Sequence, residues 1–197
     1  MLIYKYNISD TAETELNEWF DEMSDERRLE TKQLISKEKR AAKIAADHLC
    51  RKAIAEFCGV TPESIEFTKN KFGKPFAKNL PVHFSISHSN NTVICAVADK
   101  EIGIDIEKTR PINPKAAQKF ATETELEYIA SNQNGFFEIW TLKEAYFKCI
   151  GTGLGTDIKS VFFNINPSGI FCSESGFECS FIDIDEDYIC SVCQKTT

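Results

Sequence analysis

The chain has 197 residues, a length that fits one domain or two small ones and allows a sizeable buried core. Its hydrophobic fraction of 42% and charged fraction of 27% are ordinary for a globular protein and exclude a chain that is disordered throughout. The formal net charge of −7 argues against a general nucleic-acid binder, which needs an excess of Lys and Arg to neutralise phosphates.

The first half of the chain is predicted to run from helices into strands. Strand-forming residues predict an opening strand over 1–8, and apolar residues at three- and four-residue steps predict a helix over 11–23. Ser24 is a candidate N-cap for a short helix, and Ser36 for a long helix that ends at Gly59. Alternating or apolar stretches then predict a run of antiparallel strands at 65–67, 82–87, 92–98 and 102–106.

The second half repeats this order. Helices are predicted at 113–120, 122–131 and 135–150, and strands at 161–165, 169–172, 177–182 and 188–193. Thr122 and Glu125 form a capping-box pattern at the start of the second of these helices. The sequence therefore predicts an α+β fold of two similar lobes, 1–101 and 102–197, although no repeat is visible in the residues themselves.

The N-terminus and the cysteines indicate where the protein works. The chain does not open with a basic segment followed by an apolar one, and its longest apolar run, Val93 to Ala98, has six residues against about 20 for a membrane span. We therefore expect a cytoplasmic protein without a membrane partner, whose eight cysteines stay free of disulfides. Cys190 and Cys193 have the spacing of zinc and redox sites, but on a strand they face opposite sides, which favours a structural role.

A basic stretch lies inside this acidic protein. Its seven basic residues are Lys32, Lys37, Lys39, Arg40, Lys43, Arg51 and Lys52. A solvated helix face and a local site for an anionic ligand or acidic partner both agree with this pattern.

Two further stretches carry candidate chemistry. The alternation in Gly103-Ile104-Asp105-Ile106-Glu107 puts Asp105 and Glu107 on one face of a strand, as either a solvated edge or a cation site. On the helix over 135–150, Trp140, Glu144 and Lys148 share one stripe, and the Glu and Lys form either an ordinary surface pair or a partnered pair in aromatic surroundings. Three carboxylates without His or Cys suit Mg²⁺, which favours a phosphate or diphosphate substrate.

These stretches carry a family resemblance. The chain resembles the phosphopantetheinyl transferases of the surfactin-synthetase-activating (Sfp) type, which carry Gly-(Ile/Val)-Asp-x-Glu and, further along, Trp-x-x-Lys-Glu-(Ala/Ser)-x-x-Lys. Residues 103–107 and 140–148 match these motifs in order. The flanking stretches 73–75, 84–89, 107–111 and 151–154 match as well, and the resemblance runs from Met1 to about Val192.

The resemblance implies a fold and a catalytic site. The fold is a pseudo-twofold pair of α+β lobes in one monomeric chain, which clasps coenzyme A and Mg²⁺, or alternatively Mn²⁺, at the lobe interface. Asp105, Glu107 and Glu144 would hold the metal. Glu144 or a bound water would take the proton of the acceptor serine, and Lys148 would neutralise or protonate the leaving 3′,5′-ADP. These four residues are the candidate catalytic residues.

The resemblance also implies a binding site for coenzyme A. Its candidate residues are Arg40, Lys43, Lys74, Pro75, Ser87 and His88. His88 would contact a phosphate of coenzyme A, and the Lys74-Pro75 pair would line the nucleotide pocket. The chain departs from the family at Ala42, where some relatives carry Arg, so the neighbouring Arg40 and Lys43 are expected to reach the 3′-phosphate. Arg27 and Arg28 are candidates for an earlier basic position.

The implied activity is transfer of 4′-phosphopantetheine from coenzyme A to a serine of an apo carrier protein, an acyl, peptidyl or aryl carrier. Two alternatives stay open. One is a Mg²⁺-dependent hydrolase that releases phosphopantetheine without an acceptor. The other is a member that only binds coenzyme A or carrier proteins, although no expected metal ligand or lysine is missing from the motifs.

Overall fold

The computed structural model describes residues 1–155 and 157–196, with Pro114 described in its backbone alone. Thr156 and Thr197 belong to the predicted C-terminal lobe but lie outside the described residues. The helices are α1 (Glu13–Glu22), α2 (Asp25–Lys32), α3 (Lys37–Cys58), α4 (Glu123–Ser131) and α5 (Gly135–Ile150). The strands are β1 (Leu2–Asn7), β2 (Phe67–Lys69), β3 (Pro75–Ala77), β4 (His83–Ser89), β5 (Thr92–Ala98), β6 (Ile102–Lys108), β7 (Phe163–Asn166), β8 (Gly169–Cys172), β9 (Phe177–Phe181) and β10 (Tyr188–Lys195). Short 3₁₀ helices lie at Ile8–Asp10, Pro62–Ser64 and Pro114–Lys119.

Two three-stranded antiparallel sheets form the centre of the molecule. One has the strand order β1-β5-β4 and the other the order β6-β10-β9, while β2-β3 and β7-β8 form separate hairpins. The long helix α3 packs on the first sheet and α5 on the second. This arrangement confirms the predicted α+β fold of two similar lobes. The lobe limits of 1–101 and 102–197 stay a proposal, and the chain passes from one sheet to the other between Ala98 and Ile102.

Local sequence signals explain where the long helices begin and end. The Ser36 hydroxyl accepts the backbone N–H of Lys39 at the start of α3, which satisfies one of the unpaired N–H groups of a helix end. Gly59 ends α3 with a φ of 67°, a left-handed conformation that glycine adopts without strain. At α4, Thr122 and Glu125 form the predicted capping box.

The two sheets are joined by an apolar layer and by serine hydroxyls. Side chains of β5, β6 and β10 from both sheets share one buried cluster, formed by Ile94, Ala96, Ala98, Ile102, Ile104, Ile106, Cys190 and Val192. Along β4, Ser85 accepts the backbone N–H of Ile104, and Ser89 accepts that of Lys108. Hydroxyls therefore link β4 to β6 where the backbones of the two strands do not pair, and they fix the two lobes side by side.

The structure corrects one prediction of secondary structure. Strand β6 leaves the predicted antiparallel run, because it pairs with β10 of the other sheet rather than with β5. The helix predicted over 113–120 is present and is of the 3₁₀ type, at Pro114–Lys119. None of the described helices is long and apolar enough to cross a membrane.

The cysteines correct one prediction and confirm another. The sheet register places Cys179 of β9 opposite Cys193 of β10, and the two form a disulfide, so the expectation of free thiols was wrong for this pair. The prediction that Cys190 and Cys193 face opposite sides is confirmed. Cys190 lies in the layer between the sheets, whereas Cys193 lies in the core beneath α5.

Candidate active site

The candidate site lies where helix α5 crosses strand β6. Because the isoleucines of β6 fill the layer between the sheets, the alternate residues Gly103, Asp105 and Glu107 face the other side of the strand. A Cβ atom at Gly103 would overlap the backbone carbonyl oxygen of Ala145 and the backbone nitrogen of Cys149. The glycine therefore lets α5 lie directly on the strand, and the residues that precede these two contacts, Glu144 and Lys148, are held over β6.

Lys148, Asp105 and Ser87 form a tight cluster between the two lobes. The Lys148 ammonium donates to Oδ1 of Asp105 at 2.6 Å and to the Ser87 hydroxyl at 2.9 Å, and Ser87 donates to the same Oδ1 at 2.6 Å. The carboxylate of Asp105 is buried, and its Oδ2 has no hydrogen-bond partner among residues 1–155 and 157–196. Burial raises the pKa of Asp105 even though Lys148 and Ser87 oppose that change. The cluster thus holds negative charge that its own partners do not fully satisfy.

Two more carboxylates surround this cluster. Burial and the negative charge of Asp105 raise the pKa of Glu144 to about 7. Glu107 accepts from Arg110 at 3.1 Å and from Ser89 at 3.2 Å. The negative charge of Glu107 therefore helps to raise the pKa of both Asp105 and Glu144, and Lys148 is the positive charge that the candidate residues themselves supply.

The chemistry of these residues fits a hard divalent cation. Within residues 1–155 and 157–196, no three His, Cys, Asp or Glu side chains stand together in an arrangement that could hold a metal ion. The donor type nevertheless suits Mg²⁺, because all three side chains offer carboxylate oxygens. The unpartnered Oδ2 of Asp105 is a buried acceptor of the kind that a cation satisfies.

His88 stands at the end of β4 next to the cluster. Its side chain is exposed, but its pKa is lowered, first by the packed atoms that displace water around the ring and then by the positive charge of Lys148. Lys39 of α3 also lowers the pKa of His88, so the start of α3 contributes positive charge here. The predicted site residues Ser87 and His88 therefore lie beside the predicted catalytic residues.

A cavity of about 230 Å³ opens beside Lys148 at the boundary of the lobes. It is lined by Phe72, Gly73, Lys74, Pro75, Phe84, Ser85, Ile86, Phe147, Lys148, Gly151 and Gly153. Lys74 and Pro75, predicted to line a nucleotide pocket, both border this cavity. The Lys74 ammonium itself donates to the backbone carbonyls of Ile102 and Cys149, at 3.2 and 2.9 Å, and burial lowers its pKa. Lys74 therefore ties the end of α5 to β6.

The other predicted basic residues are spread apart. Arg40 borders a different cavity with residues of α1, so the structure does not bring it to the cluster. Lys43 is held by Glu30 of α2 at 2.8 Å. Arg27 pairs with the buried Asp47, and Arg28 pairs with Asp25. Lys39 had no predicted role beyond the basic stretch, although its four-residue spacing from Lys43 predicts that both lie on one face of α3.

Lys143 is a second lysine of the α5 motif. The sequence alone predicted no role for it, and its position in the structure supplies one. Its side chain is fully buried, and its ammonium pairs with the carboxylate of Glu125 at 3.0 Å. It also donates to the carbonyls of Ile158 and Val161 at 3.1 and 2.6 Å. Lys143 therefore fixes the segment after α5 to α4. A lysine inside an aromatic-rich helix was the available signal, since such a charge needs partners.

The sequence is similar to known transferases over most of its length. The family model described as the 4′-phosphopantetheinyl transferase superfamily matches residues 101–193. A 4′-phosphopantetheinyl transferase of Bacillus subtilis is 34% identical over 182 residues, 87% of this chain and 81% of that protein. The 4′-phosphopantetheinyl transferase Sfp of Bacillus subtilis (strain 168) is 31% identical over 205 residues, 98% of this chain and 92% of that protein.

Two further matches are shorter. The 4′-phosphopantetheinyl transferase gsp of Aneurinibacillus migulanus is 40% identical over 125 residues, 61% of this chain and 52% of that protein. The crystal structure of Thermotoga maritima holo-[acyl-carrier-protein] synthase aligns with a TM-score of 0.42 and 21% identity over 48% of this chain and 62% of that chain, too low a similarity to bear on function. From the longer matches, the chain belongs to the 4′-phosphopantetheinyl transferase superfamily and is an enzyme of the Sfp type.

Proposed function

We propose that this enzyme transfers 4′-phosphopantetheine from coenzyme A to a serine of an apo acyl or peptidyl carrier protein, with Mg²⁺ as its metal ion. The observation that carries the proposal is the cluster of Lys148, Asp105 and Ser87, whose buried Asp105 Oδ2 lacks a partner, beside a cavity at the boundary of the lobes. Such a cluster supplies the charges that a diphosphate and its metal require.

Asp105, Glu107 and Glu144 would hold the Mg²⁺ ion, for which Mn²⁺ is the alternative. When bound, the ion would neutralise charge on the diphosphate and act as a Lewis acid toward it. The three side chains offer oxygen donors, and their mutual repulsion would be relieved by a cation. Arg110 and Ser89 already orient the carboxylate of Glu107, so this ligand would be positioned before the ion arrives.

The cavity at the boundary of the lobes is the proposed binding site for coenzyme A. Pro75 and the stem of Lys74 form part of its wall, and Lys148 lies at its edge. His88 and Lys39 lie close enough to Lys148 to form, with it, a positive rim for phosphates once the histidine is protonated. Lys43 extends this rim along α3, whereas Arg40 lies away from it and stays a prediction without support from its position.

In the proposed reaction, the serine oxygen of the carrier protein attacks the phosphorus that bears the pantetheine arm. A new P–O bond forms to serine, and the bond to the bridging oxygen of 3′,5′-ADP breaks with its electron pair on that oxygen. Lys148, four residues after Glu144 on α5, would neutralise or protonate this leaving oxygen. The serine proton would pass to Glu144 or to a bound water, the two acceptors that the family resemblance implies.

The proposal also includes the localisation, the oligomeric state and the partners of the enzyme. We propose a cytoplasmic monomer that has neither nucleic acid nor membrane as partner, with the metal and catalytic motifs carried by the C-terminal lobe 102–197. The net charge of −7 supports the absence of nucleic acid as a partner.

Intact-mass measurement of carrier proteins tests this function. Purified enzyme is mixed with coenzyme A, Mg²⁺ and an apo fatty-acid, polyketide or peptide-type carrier protein. We expect each accepted carrier to gain the mass of one phosphopantetheine arm, and we expect EDTA or Asp105→Ala to abolish the gain. The matched control is Glu66→Gln, which removes a carboxylate from the surface pair with Lys78 and should leave the transfer intact.

Two outcomes would contradict the proposal. Free phosphopantetheine released without any acceptor would identify a hydrolase. Binding of coenzyme A or of the carrier without turnover, across all three carrier types, would identify a member that only binds.

A further inference from the structure

Glu30 of helix α2 is held between two lysines from different elements. Its carboxylate contacts the ammonium of Lys43 on α3 at 2.8 Å and that of Lys69 on β2 through its other oxygen. Glu26, one turn earlier on α2, approaches Lys69 more loosely, at 3.8 Å. Two lysines from separate parts of the fold therefore bind the same anion, the carboxylate of Glu30.

This lysine pair lies along the rim of the proposed coenzyme A site. Lys69 is the direct cross-strand partner of Pro75, which lines the cavity at the boundary of the lobes. Directly opposite residues of an antiparallel pair have their Cβ atoms about 5 Å apart. Lys43 lies one helical turn after Lys39, whose charge reaches His88. Lys69 is therefore paired with a residue of the cavity wall, and Lys43 lies one helical turn from Lys39 of the positive rim.

We propose that Glu30 is an internal competitor for the 3′-phosphate of coenzyme A: it holds Lys43 and Lys69 in the free enzyme and releases them when the phosphate binds. This inference rests on the proposed function and adds a residue that sets the affinity and specificity of that site. It also gives Lys69 a role in coenzyme A binding that the sequence analysis did not assign.

The charges favour this exchange. A phosphate monoester carries about −1.5 to −2 charges near pH 7 and several strong acceptor oxygens, whereas a carboxylate carries one charge. Two ammonium groups are therefore better matched by the phosphate than by Glu30. The three side chains are partly exposed, Glu30 to 32%, so the carboxylate can turn toward water when it is displaced.

Mild acid cannot relieve the competition. The two lysines hold the pKa of Glu30 at about 2, so its carboxylate is ionised throughout the pH range in which the enzyme would work. Substitution by the neutral, equally sized glutamine is therefore the direct way to remove the competing charge.

The test is the binding of coenzyme A and of dephospho-coenzyme A, which lacks only the 3′-phosphate, measured by titration calorimetry without a carrier protein. We expect Glu30→Gln to bind coenzyme A about fivefold more tightly, the value of one partly exposed ion pair, and to bind dephospho-coenzyme A as the wild type does. We expect Lys69→Gln to weaken binding of coenzyme A alone. Glu66→Gln, which removes the same charge from the surface pair with Lys78, should change neither affinity.

The outcomes separate this inference from the proposed function. A wild-type enzyme that prefers coenzyme A to dephospho-coenzyme A, with the same preference in Glu30→Gln and Lys69→Gln, would overturn the role of Glu30 and leave the transferase intact. A wild-type enzyme that binds neither compound would overturn the proposed function and this inference together. Because Lys69→Gln alters only the exposed end of the cluster, it keeps the test decisive if Glu30→Gln folds poorly.

Discussion

The two lobes each bury one aspartate, and the two aspartates differ in how well their charge is matched. In the N-terminal lobe, Asp47 faces two guanidinium groups: Arg51 donates to one carboxylate oxygen at 2.9 Å, and Arg27 forms an ion pair with the other, which has no hydrogen-bond partner among the described residues. Arg51 also donates to two backbone carbonyls, and both arginines lie against the ring of Phe67. In the C-terminal lobe, Asp105 has only one cationic partner, the ammonium of Lys148, and one hydroxyl, and its second carboxylate oxygen likewise has no hydrogen-bond partner in the part of the chain that the structure describes.

The difference in the number of cationic partners is the basis on which we assign a structural role to one aspartate and propose a binding role for the other. A buried charge is tolerated when opposite charges compensate it, and Asp47 has two guanidinium groups of its own chain for this. Asp105 has one ammonium and two more carboxylates nearby, and this excess of negative charge is what led us to propose a bound cation there. Substitution of Asp105 should therefore lower activity, whereas substitution of Asp47 should lower stability.

The largest effect is expected from Asp105→Asn. Loss of a carboxylate proposed to hold the metal ion, which would neutralise charge on the diphosphate, should lower the transfer rate by about 10²–10³-fold. The free energy of unfolding at neutral pH should not fall, because asparagine avoids burial of a poorly matched carboxylate. Transfer rates by intact mass and urea unfolding of the same preparation measure the two quantities. A variant that has a lower free energy of unfolding, and whose folded molecules transfer at the wild-type rate, would show that Asp105 is structural and would contradict the proposed difference from Asp47.

The converse substitution, Asp47→Asn, should act on stability. It leaves the buried guanidinium groups of Arg27 and Arg51 without their carboxylate, which should lower the free energy of unfolding by about 3 kcal/mol. The transfer rate per folded molecule should stay close to that of the wild type, because Asp47, Arg27 and Arg51 do not line the cavity proposed for coenzyme A. Urea unfolding followed by tryptophan fluorescence measures the change. Stability equal to that of the wild type would show that the cluster does not support the fold.

Gly103→Ala tests whether the approach of α5 to β6 is what sets the catalytic geometry. Its Cβ would meet the backbone of Ala145 and Cys149, which cannot move as a flexible side chain can, so α5 must shift. We expect a loss of about 1–3 kcal/mol of stability from overpacking, and a transfer rate about 10²-fold lower from displacement of Glu144 and Lys148. Wild-type activity in a destabilised variant would show that the site tolerates a shift of this helix.

Much of this architecture was predictable because it depends on short-range signals. The caps Ser24, Ser36 and Thr122 and the closing Gly59 marked helix ends correctly, since each acts on backbone groups within one turn. The alternation around Asp105 also indicated which residues share a face. Strand partners were less predictable: β6 pairs with β10, a contact between residues eighty or more positions apart that no local pattern encodes.

The parts of the site that were missed depend on long-range contacts. Lys143 and Lys148 are five residues apart on one helix, and the motif predicted a role for Lys148 alone; the partner of Lys143, Glu125 of α4, is visible only in the structure. The Cys179–Cys193 disulfide likewise follows from the register of two strands. Arg40 and Lys39 are adjacent in sequence, and the direction each side chain takes around α3 decided which of them lies near His88.

The smallest effect on stability is expected at Glu30. Its charge is matched by two lysines when it is ionised, and this stabilisation can be removed by protonation and restored. Lys43 and Lys69 lower the pKa of Glu30 from 4.5 in the unfolded chain to about 2 in the folded one. Because the folded pKa is the lower one, the stabilisation is fully present above pH 4.5 and is lost as the pH falls toward 2. After allowance for screening by water, it should amount to about 1 kcal/mol. Urea unfolding of the wild type and of Glu30→Gln should therefore differ by this amount at pH 6, and the difference should shrink from pH 4.5 to pH 3. A difference that stays constant over this range would mean that Glu30 acts through packing rather than through its charge.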